Sequence, residues 1–233
     1  MRKTLDEVMQ TLQSLGTESR RKTNTKNGAG ENQFGVMMGQ LRSIGKEIGI
    51  DHELSMQLWD SGNADAMLLS CMTMDPNRLT LDKAESMVAP LTYSMVLDAF
   101  VFGPLSEAVF AQELMFKWIK ALEASFGRAG WNLLIGQIMA KKTLPFTIDD
   151  ILSIIDNELT AAIKPKQEAM NRCLCEIGIR MREYTHRCID IGEKYGRLDN
   201  RPIPKGCTSS YAPEWIAAGI RLREARKRQV AAH

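Results

Sequence analysis

Aromatic residues, long apolar runs and a secretion signal are scarce or missing in this sequence. Aromatic residues make up only 6% of the chain, and no segment reaches the roughly 18 uninterrupted apolar residues that a transmembrane helix needs. The first residues lead into an amphipathic segment containing Asp6 and Glu7, not into the apolar core of a signal peptide. We therefore expect a cytoplasmic protein that does not span a membrane.

Cysteine and histidine do not form a recognisable metal or disulfide pattern. The five cysteines are odd in number and match no zinc-binding spacing. His52 and His186 each lack a carboxylate or cysteine neighbour at metal-ligand spacing. The sequence therefore predicts no disulfide scaffold, no metal and no cofactor. Cys207, which follows Gly206 in a loop rich in Pro, Gly and Ser, is either an exposed thiol or a loop-packing residue.

The charge balance does not by itself indicate a nucleic-acid-binding protein. The net charge is only +2 at pH 7, but the basic residues cluster at 20–22, 141–142 and 221–228. Acidic residues cluster elsewhere, around 149–158, so the distribution is compatible with one positive face.

Apolar alternation at period two is absent, which excludes a β protein and leaves helical periodicity as the main signal. The clearest example lies in residues 34–80, where Val36, Leu41, Ile44 and Ile48 follow helical spacing. A turn, a second helix, a Ser-Gly-Asn break and a third helix closed by Asp75-Pro76 follow. Helix pairs of this kind cannot cover their own apolar faces, so we expect them to stack into a curved superhelix with a concave face.

The same criteria predict further helices at 4–15, 81–88, 93–102, 107–126, 128–141, 148–159, 166–181, onward to 195, and from about 212. Residues 20–32 are predicted to be a polar loop. We expect a single repeat domain over residues 1–210, followed by a basic helix or tail over 211–233. Trp59, Trp118 and Trp131 lie in apolar stripes and are predicted core residues.

Asp98 is the residue most in need of explanation, because it interrupts the apolar run 93–102. A carboxylate buried there without a partner would be costly. Two interpretations remain open: an ion pair or cap that serves structure, and a carboxylate in a groove that stabilises a cationic transition state or positions a water.

The chain also resembles a known family, the bacterial DNA alkylation repair proteins, which are AlkD-like proteins built from HEAT-like repeats. The resemblance combines a Trp, two turn glycines and an Asp-Pro stop, and it is carried by Phe34-Gly35-Val36, Leu41-Arg42, Lys46, Asp51-His52-Glu53-Leu54, Leu58-Trp59, Ser61-Gly62, Ala66, Leu68-Leu69 and Asp75-Pro76. It implies an all-α, HEAT-like superhelix with a concave basic groove.

The resemblance also implies candidate site residues. In that family the helix corresponding to 93–102 carries a Trp and, four residues later, a catalytic Asp; this chain has Tyr93 near the Trp position and Asp98. The family's helix-start Arg matches Arg128, and Arg172 stands where the family has a second Trp. Basic residues that flank or begin the helices expected to line the groove are candidate DNA contacts: Arg42, Lys46, Lys141, Lys142, Arg172 and Arg180.

Two functions follow from this resemblance. The first is a monomeric DNA alkylation repair protein that binds duplex DNA through its phosphates and excises N3- or N7-alkylated purines, with Asp98, Tyr93 and Arg128 at the site. The second is a non-catalytic module on the same scaffold that binds branched or damaged DNA or a protein partner.

Overall fold

Helices account for all the regular secondary structure of the described chain. The computed structural model describes residues 3–198 and 209–231, and these ranges contain thirteen α-helices, short 3₁₀ and π-helical turns, and no strand. The all-α prediction is confirmed. The predicted loop around Cys207 lies outside the described residues. Within the two ranges, none of the helices combines the length and apolar character needed to cross a lipid bilayer.

The chain divides into two compact units, with the boundary between residues 133 and 134. The helices that begin in the first unit are α1 (Leu5–Leu15), α2 (Glu18–Lys26), α3 (Met38–Ile48), α4 (His52–Asp60), α5 (Ala64–Thr73), α6 (Leu81–Val88), α7 (Ser94–Phe100), α8 (Ala111–Ile119) and α9 (Ala124–Met139). The second unit adds α10 (Ile148–Glu158), α11 (Lys164–Arg180), α12 (Thr185–Tyr195) and α13 (Ala212–Ala231). The boundary predicted at residue 210 lies just before α13. That residues 1–210 form one domain stays a prediction.

Side-chain caps explain why several helices begin where the sequence predicts. Thr4 forms a capping box with Glu7 at the start of α1, so each side chain satisfies a backbone N–H that the helix leaves unpaired. The side chains of Asp51, Asn63 and Thr80 cap α4, α5 and α6 by accepting hydrogen bonds from first-turn backbone N–H groups. The boundaries of α1 and α6 agree with the predicted ones because the caps are local signals.

The segment before α3 is extended and held by a distant carboxylate. Asp65, at the start of α5 and 1% exposed, accepts hydrogen bonds from the backbone N–H groups of Phe34, Gly35 and Val36 at 2.7, 2.9 and 3.0 Å. Helix α3 therefore begins at Met38, and the prediction that one helix starts at Phe34 is wrong.

Two other predicted segments differ from the structure. The predicted loop at residues 20–32 is wrong over 20–26, which belong to α2. The helix is polar almost all round, so no apolar stripe revealed it, and Thr17 caps its start. The predicted helix over 107–126 is in fact α8 followed by a break at residues 120–123. As a result Arg128 is the fifth residue of α9 and not its first.

Large apolar side chains fill the core of the first unit. Trp59 is 7% exposed and its ring lies 5.1 Å from that of Phe100, while Trp118 and Trp131 are 1% and 0% exposed. The prediction that these three tryptophans are core residues is confirmed. In the second unit α13 packs on α11 and α12, with Ile216 fully buried among them.

Candidate functional site

Helix α7 presents a carboxylate on its solvent side. Val96, Leu97 and Phe100 are buried on one face of this seven-residue helix. Asp98 projects from the other side, where its side chain keeps 22% of its accessible surface. The helix ends at a π-helical turn, Val101–Leu105, in which Gly103 has a non-helical backbone. This turn limits α7 to two turns, close to the predicted helix end at residue 102.

Arg128 of α9 binds Asp98 in a side-on, two-point ion pair. Its Nε donates to Oδ1 at 2.7 Å and its Nη2 donates to Oδ2 at 2.8 Å. The Arg128 side chain is only 12% exposed, so the pair lies at the edge of the core with the carboxylate reaching the surface. Two charge-assisted hydrogen bonds from one planar guanidinium fix the plane of the carboxylate as well as its position.

Asn132 is a third member of this cluster, and the sequence argument missed it. Its amide Nδ2 donates to Asp98 Oδ1 at 2.7 Å, and the residue is 1% exposed. Asn132 lies four residues after Arg128 on α9, and residues at that spacing share one helix face. That spacing is the sequence signal that could have identified it. The three side chains form what we call the carboxylate cluster: Asp98, Arg128 and Asn132.

A close helix crossing sets the position of α9. A Cβ atom at Gly130 would lie 2.4 Å from the backbone of both Trp118 and Ile119 at the end of α8. Only a residue without a side chain permits this approach. Because Gly130 lies between Arg128 and Asn132, the crossing also fixes the two residues that bind Asp98.

Tyr93, the other predicted catalytic residue, makes a different contact. It precedes α7, is 7% exposed, and its hydroxyl donates to the sulfur of Met95 at 3.4 Å. Burial raises the pKa of the Tyr93 hydroxyl, an effect that the neighbouring Arg20 opposes. The structure thus joins Asp98 to Arg128, whereas the hydrogen bond that Tyr93 makes is to Met95.

Arg20 of α2 is a cation beside α7, and the sequence argument did not select it. Its Nη2 lies 3.9 Å from the sulfur of Met95, and its buried Nε has no hydrogen-bond partner among the described residues. Met95 precedes Asp98 by three residues, which puts both on neighbouring positions of the α7 surface. The sequence argument could not place Arg20 beside α7, because it treated this segment as a loop, and a loop gives the side chain no fixed direction.

The six predicted DNA-contacting residues divide between the two units. In the first, Arg42 and Lys46 are exposed one turn apart on α3. In the second, Lys141 and Lys142 are exposed directly after α9, and Arg172 is half-buried on α11. Arg180, also on α11, is paired with Glu176 at 2.7 Å.

A family model, a bacterial protein and a solved structure are similar to this chain. Residues 8–216 match the family described as DNA alkylation repair enzyme. The uncharacterized protein Lin0241 of Listeria innocua is 23% identical over 222 residues, which are 92% of this chain and 95% of that protein. A solved structure, described as "a new family of proteins related to the HEAT-like repeat DNA glycosylases with affinity for branched DNA structures", has a TM-score of 0.81 at 25% identity and covers 94% of each chain.

The structural likeness confirms the predicted HEAT-like fold. Since the family match extends over nearly the whole chain, this protein belongs to the DNA alkylation repair enzyme family.

Proposed function

We propose that this protein binds DNA through its phosphate backbone and hydrolyses the N-glycosidic bond of N3- or N7-alkylated purines. The observation that supports this most directly is the carboxylate cluster: Asp98 is oriented by Arg128 and Asn132 while 22% of its side chain stays exposed. The exposed edge gives a positively charged sugar access to the carboxylate, which a fully buried ion pair would not allow.

The proposed hydrolysis needs little activation by the protein, because the alkylated base is already a good leaving group. An N3- or N7-alkylated purine carries a positive charge, so the bond between sugar and base breaks with its electron pair moving to the base. The sugar then develops oxocarbenium character, and the negative edge of Asp98 stabilises that charge. Water adds to the sugar carbon and releases a proton to the carboxylate or to solvent. Arg128 acts as a positioning residue because it sets the plane of the carboxylate.

Cations of the first unit supply phosphate contacts in this proposal. Arg42 and Lys46 are exposed on one face of α3, and the Arg20 guanidinium lies 3.9 Å from the sulfur of Met95 on α7. Such contacts position a duplex without reading its sequence. Lys141, Lys142, Arg172 and Arg180 are the corresponding candidates of the second unit.

Release of alkylated base from methylated duplex DNA tests the reaction. Asp98→Asn keeps the shape of the side chain and removes its charge, so we expect release to fall by about 10²- to 10³-fold. Asp82→Asn is the matched control, because Asp82 is an exposed carboxylate on α6. No release by the unmutated protein, or equal release by both variants, would rule out the proposed catalysis.

A second function, non-catalytic binding of branched or damaged DNA, has specific support. Tyr93, five residues before Asp98, stands near the first Trp of the resembled family, and Arg172 stands where that family has its second Trp, so this chain carries neither Trp. The solved relative comes from a family with affinity for branched DNA. Tighter binding of a four-way junction than of a duplex of equal length, without base release, would favour this function.

Both functions require phosphate contacts, and salt dependence tests them together. Each phosphate that the protein neutralises steepens the fall of affinity with salt. We expect a steep loss of DNA affinity between low and physiological salt. A flat response would contradict DNA binding in either form.

A further inference from the structure

The second unit contains a basic cleft that the proposed reaction does not use. It lies between the second half of α13 and the junction of α11 with α12, and its volume is about 610 Å³. The charged and titratable residues that line it are Arg180, Arg182, His186, Arg223, Glu224 and Lys227. Four permanent cations thus face a single lining carboxylate. We call this feature the basic cleft.

The cations belong to rigid walls. Arg223 donates from Nη1 to the backbone carbonyl of Ile179 at 3.1 Å, and Arg180 donates from Nε to Glu176 at 2.7 Å. The helices approach closely there, since a Cβ at Gly219 would lie 2.3 Å from the side chain of Ile179. The two walls therefore cannot move apart to relieve repulsion between their charges without losing this packing.

Among the residues that the structure describes, two of the lining cations have side chains without a polar partner. The side chains of Arg182 and Lys227, on opposite walls, form neither a hydrogen bond nor an ion pair within the described parts of the chain. Glu224, the lining carboxylate, lies 4.0 Å from Arg228 on its own helix. Like charges held in one concave surface raise its positive potential, and an anion that enters lowers the energy of the arrangement.

The α13 wall is extended along its axis. Ile220, Arg223, Glu224 and Lys227 follow the i, i+3, i+4, i+7 spacing of one helix face. Seven residues of helix rise roughly 10 Å, over which one DNA strand carries about three phosphates. A row of anions suits this wall better than a single small phosphate does.

We propose that the basic cleft binds the phosphodiester backbone of DNA and is a phosphate-contact site of the second unit. This inference rests on the proposed DNA binding and adds a site for it. The basic run 221–228 is thereby divided: Arg223 and Lys227 face the cleft, whereas Arg221 and Arg226 do not line it.

The division of the basic run gives a matched experiment on the full chain. The double variant R182Q/K227Q removes two charges that line the cleft. The control R221Q/R226Q removes two charges of α13 that do not line it. Affinity for a four-way junction and for a duplex is measured by fluorescence anisotropy over a salt series. We expect R182Q/K227Q to weaken binding about tenfold and to make the slope of log affinity against log salt shallower by about 1 to 2. R221Q/R226Q should change affinity less than about twofold.

Each other outcome is decisive. If the unmutated chain binds DNA and both double variants lose affinity equally, the effect is one of net charge and the cleft is not a site. If neither loses affinity, the cleft is likewise not a site, while the proposed DNA binding stands. If the unmutated chain binds no DNA at low salt, both proposals fail. Equal DNA affinity of the unmutated chain and R182Q/K227Q, together with binding of inorganic phosphate by the unmutated chain alone, would assign the cleft to a small free phosphate and overturn the DNA assignment.

Discussion

Arg128 holds Asp98 through two parallel hydrogen bonds of 2.7 and 2.8 Å, a geometry that only a guanidinium supplies. Lysine would keep the positive charge but can direct only a point-like ammonium at the carboxylate. The effect of Arg128→Lys therefore separates the contribution of the two-point hydrogen-bond geometry to stability from the contribution of the positive charge.

For Arg128→Lys we expect the free energy of unfolding to fall by about 1 to 2 kcal/mol, because one charge-assisted hydrogen bond at the edge of the core is lost. Base release, where present, should fall as well, since the carboxylate plane is no longer fixed. Urea unfolding measures the first effect. Arg42→Lys on the exposed face of α3 is the control and should stay within about 0.5 kcal/mol of the unmutated protein. Equal stability of both variants would show that the two-point geometry contributes nothing.

The need for a partner at Asp98 could be predicted from sequence, but the full cluster could not. A carboxylate within an apolar run demands compensation, and Arg128 was available on a neighbouring helix. The start of α9 at Ala124 was not visible, because residues 120–123 contain neither Gly nor Pro. That break depends on tertiary packing, in which Gly130 lets α9 lie against the end of α8.

Hydrogen bonds between a side chain and a distant stretch of backbone could not be predicted from the sequence either. Periodicity placed Val36 on a helix face, since it fits the spacing of Leu41 and Ile44. In the structure Val36 is buried but extended, because the carboxylate of Asp65 captures its N–H group. No local pattern reveals a contact between residues about 30 positions apart. Local caps such as Thr4 and Thr80, in contrast, were readable from the chain alone.

Gly130→Ala should disturb the carboxylate cluster from outside it. The added methyl would overlap the backbone of Trp118 and Ile119, which cannot move as a side chain could. We expect a loss of about 1 to 3 kcal/mol in the free energy of unfolding. Gly39→Ala on α3 is the control, because its Cβ would meet nothing within 4 Å. There the higher helix propensity of alanine should leave stability unchanged or raise it by up to about 1 kcal/mol. A neutral Gly130→Ala would contradict the close crossing.

Asp65→Asn tests the carboxylate that organises the segment before α3. Its two oxygens accept from three backbone N–H groups, and an amide has only one acceptor oxygen and adds an N–H₂ donor. At least one buried donor would then lose its partner, which costs about 1 to 3 kcal/mol. Chemical denaturation measures the loss, and hydrogen exchange should show faster exchange at residues 34–36. Asp82→Asn serves again as the exposed control, and an equal effect of both substitutions would refute this role.

The buried cysteines predict how stability depends on alkaline pH. Burial raises the pKa of the thiols of Cys71, Cys173 and Cys175 far above its ordinary value and that of Cys188 to about 12. An unfolded thiol has a pKa near 8.5. Below that pH, folded and unfolded states both hold the proton, so these groups add no pH dependence. Above it the unfolded state ionises first, and stability declines until the folded pKa is reached.

Each such thiol lowers the free energy of unfolding by about 1.4 kcal/mol per pH unit over this range. Lysines and tyrosines titrate in the same region, so the test compares the unmutated protein with Cys188→Ala. Urea unfolding with reductant present, at several values between about pH 8 and pH 10.5, should give a slope shallower by one thiol for the variant. A native-state labelling assay at pH 8 should find Cys188 unreactive because a neutral, fully buried thiol is a poor nucleophile. Identical slopes for the two proteins would mean that the Cys188 thiol ionises as readily in the folded state as in the unfolded one.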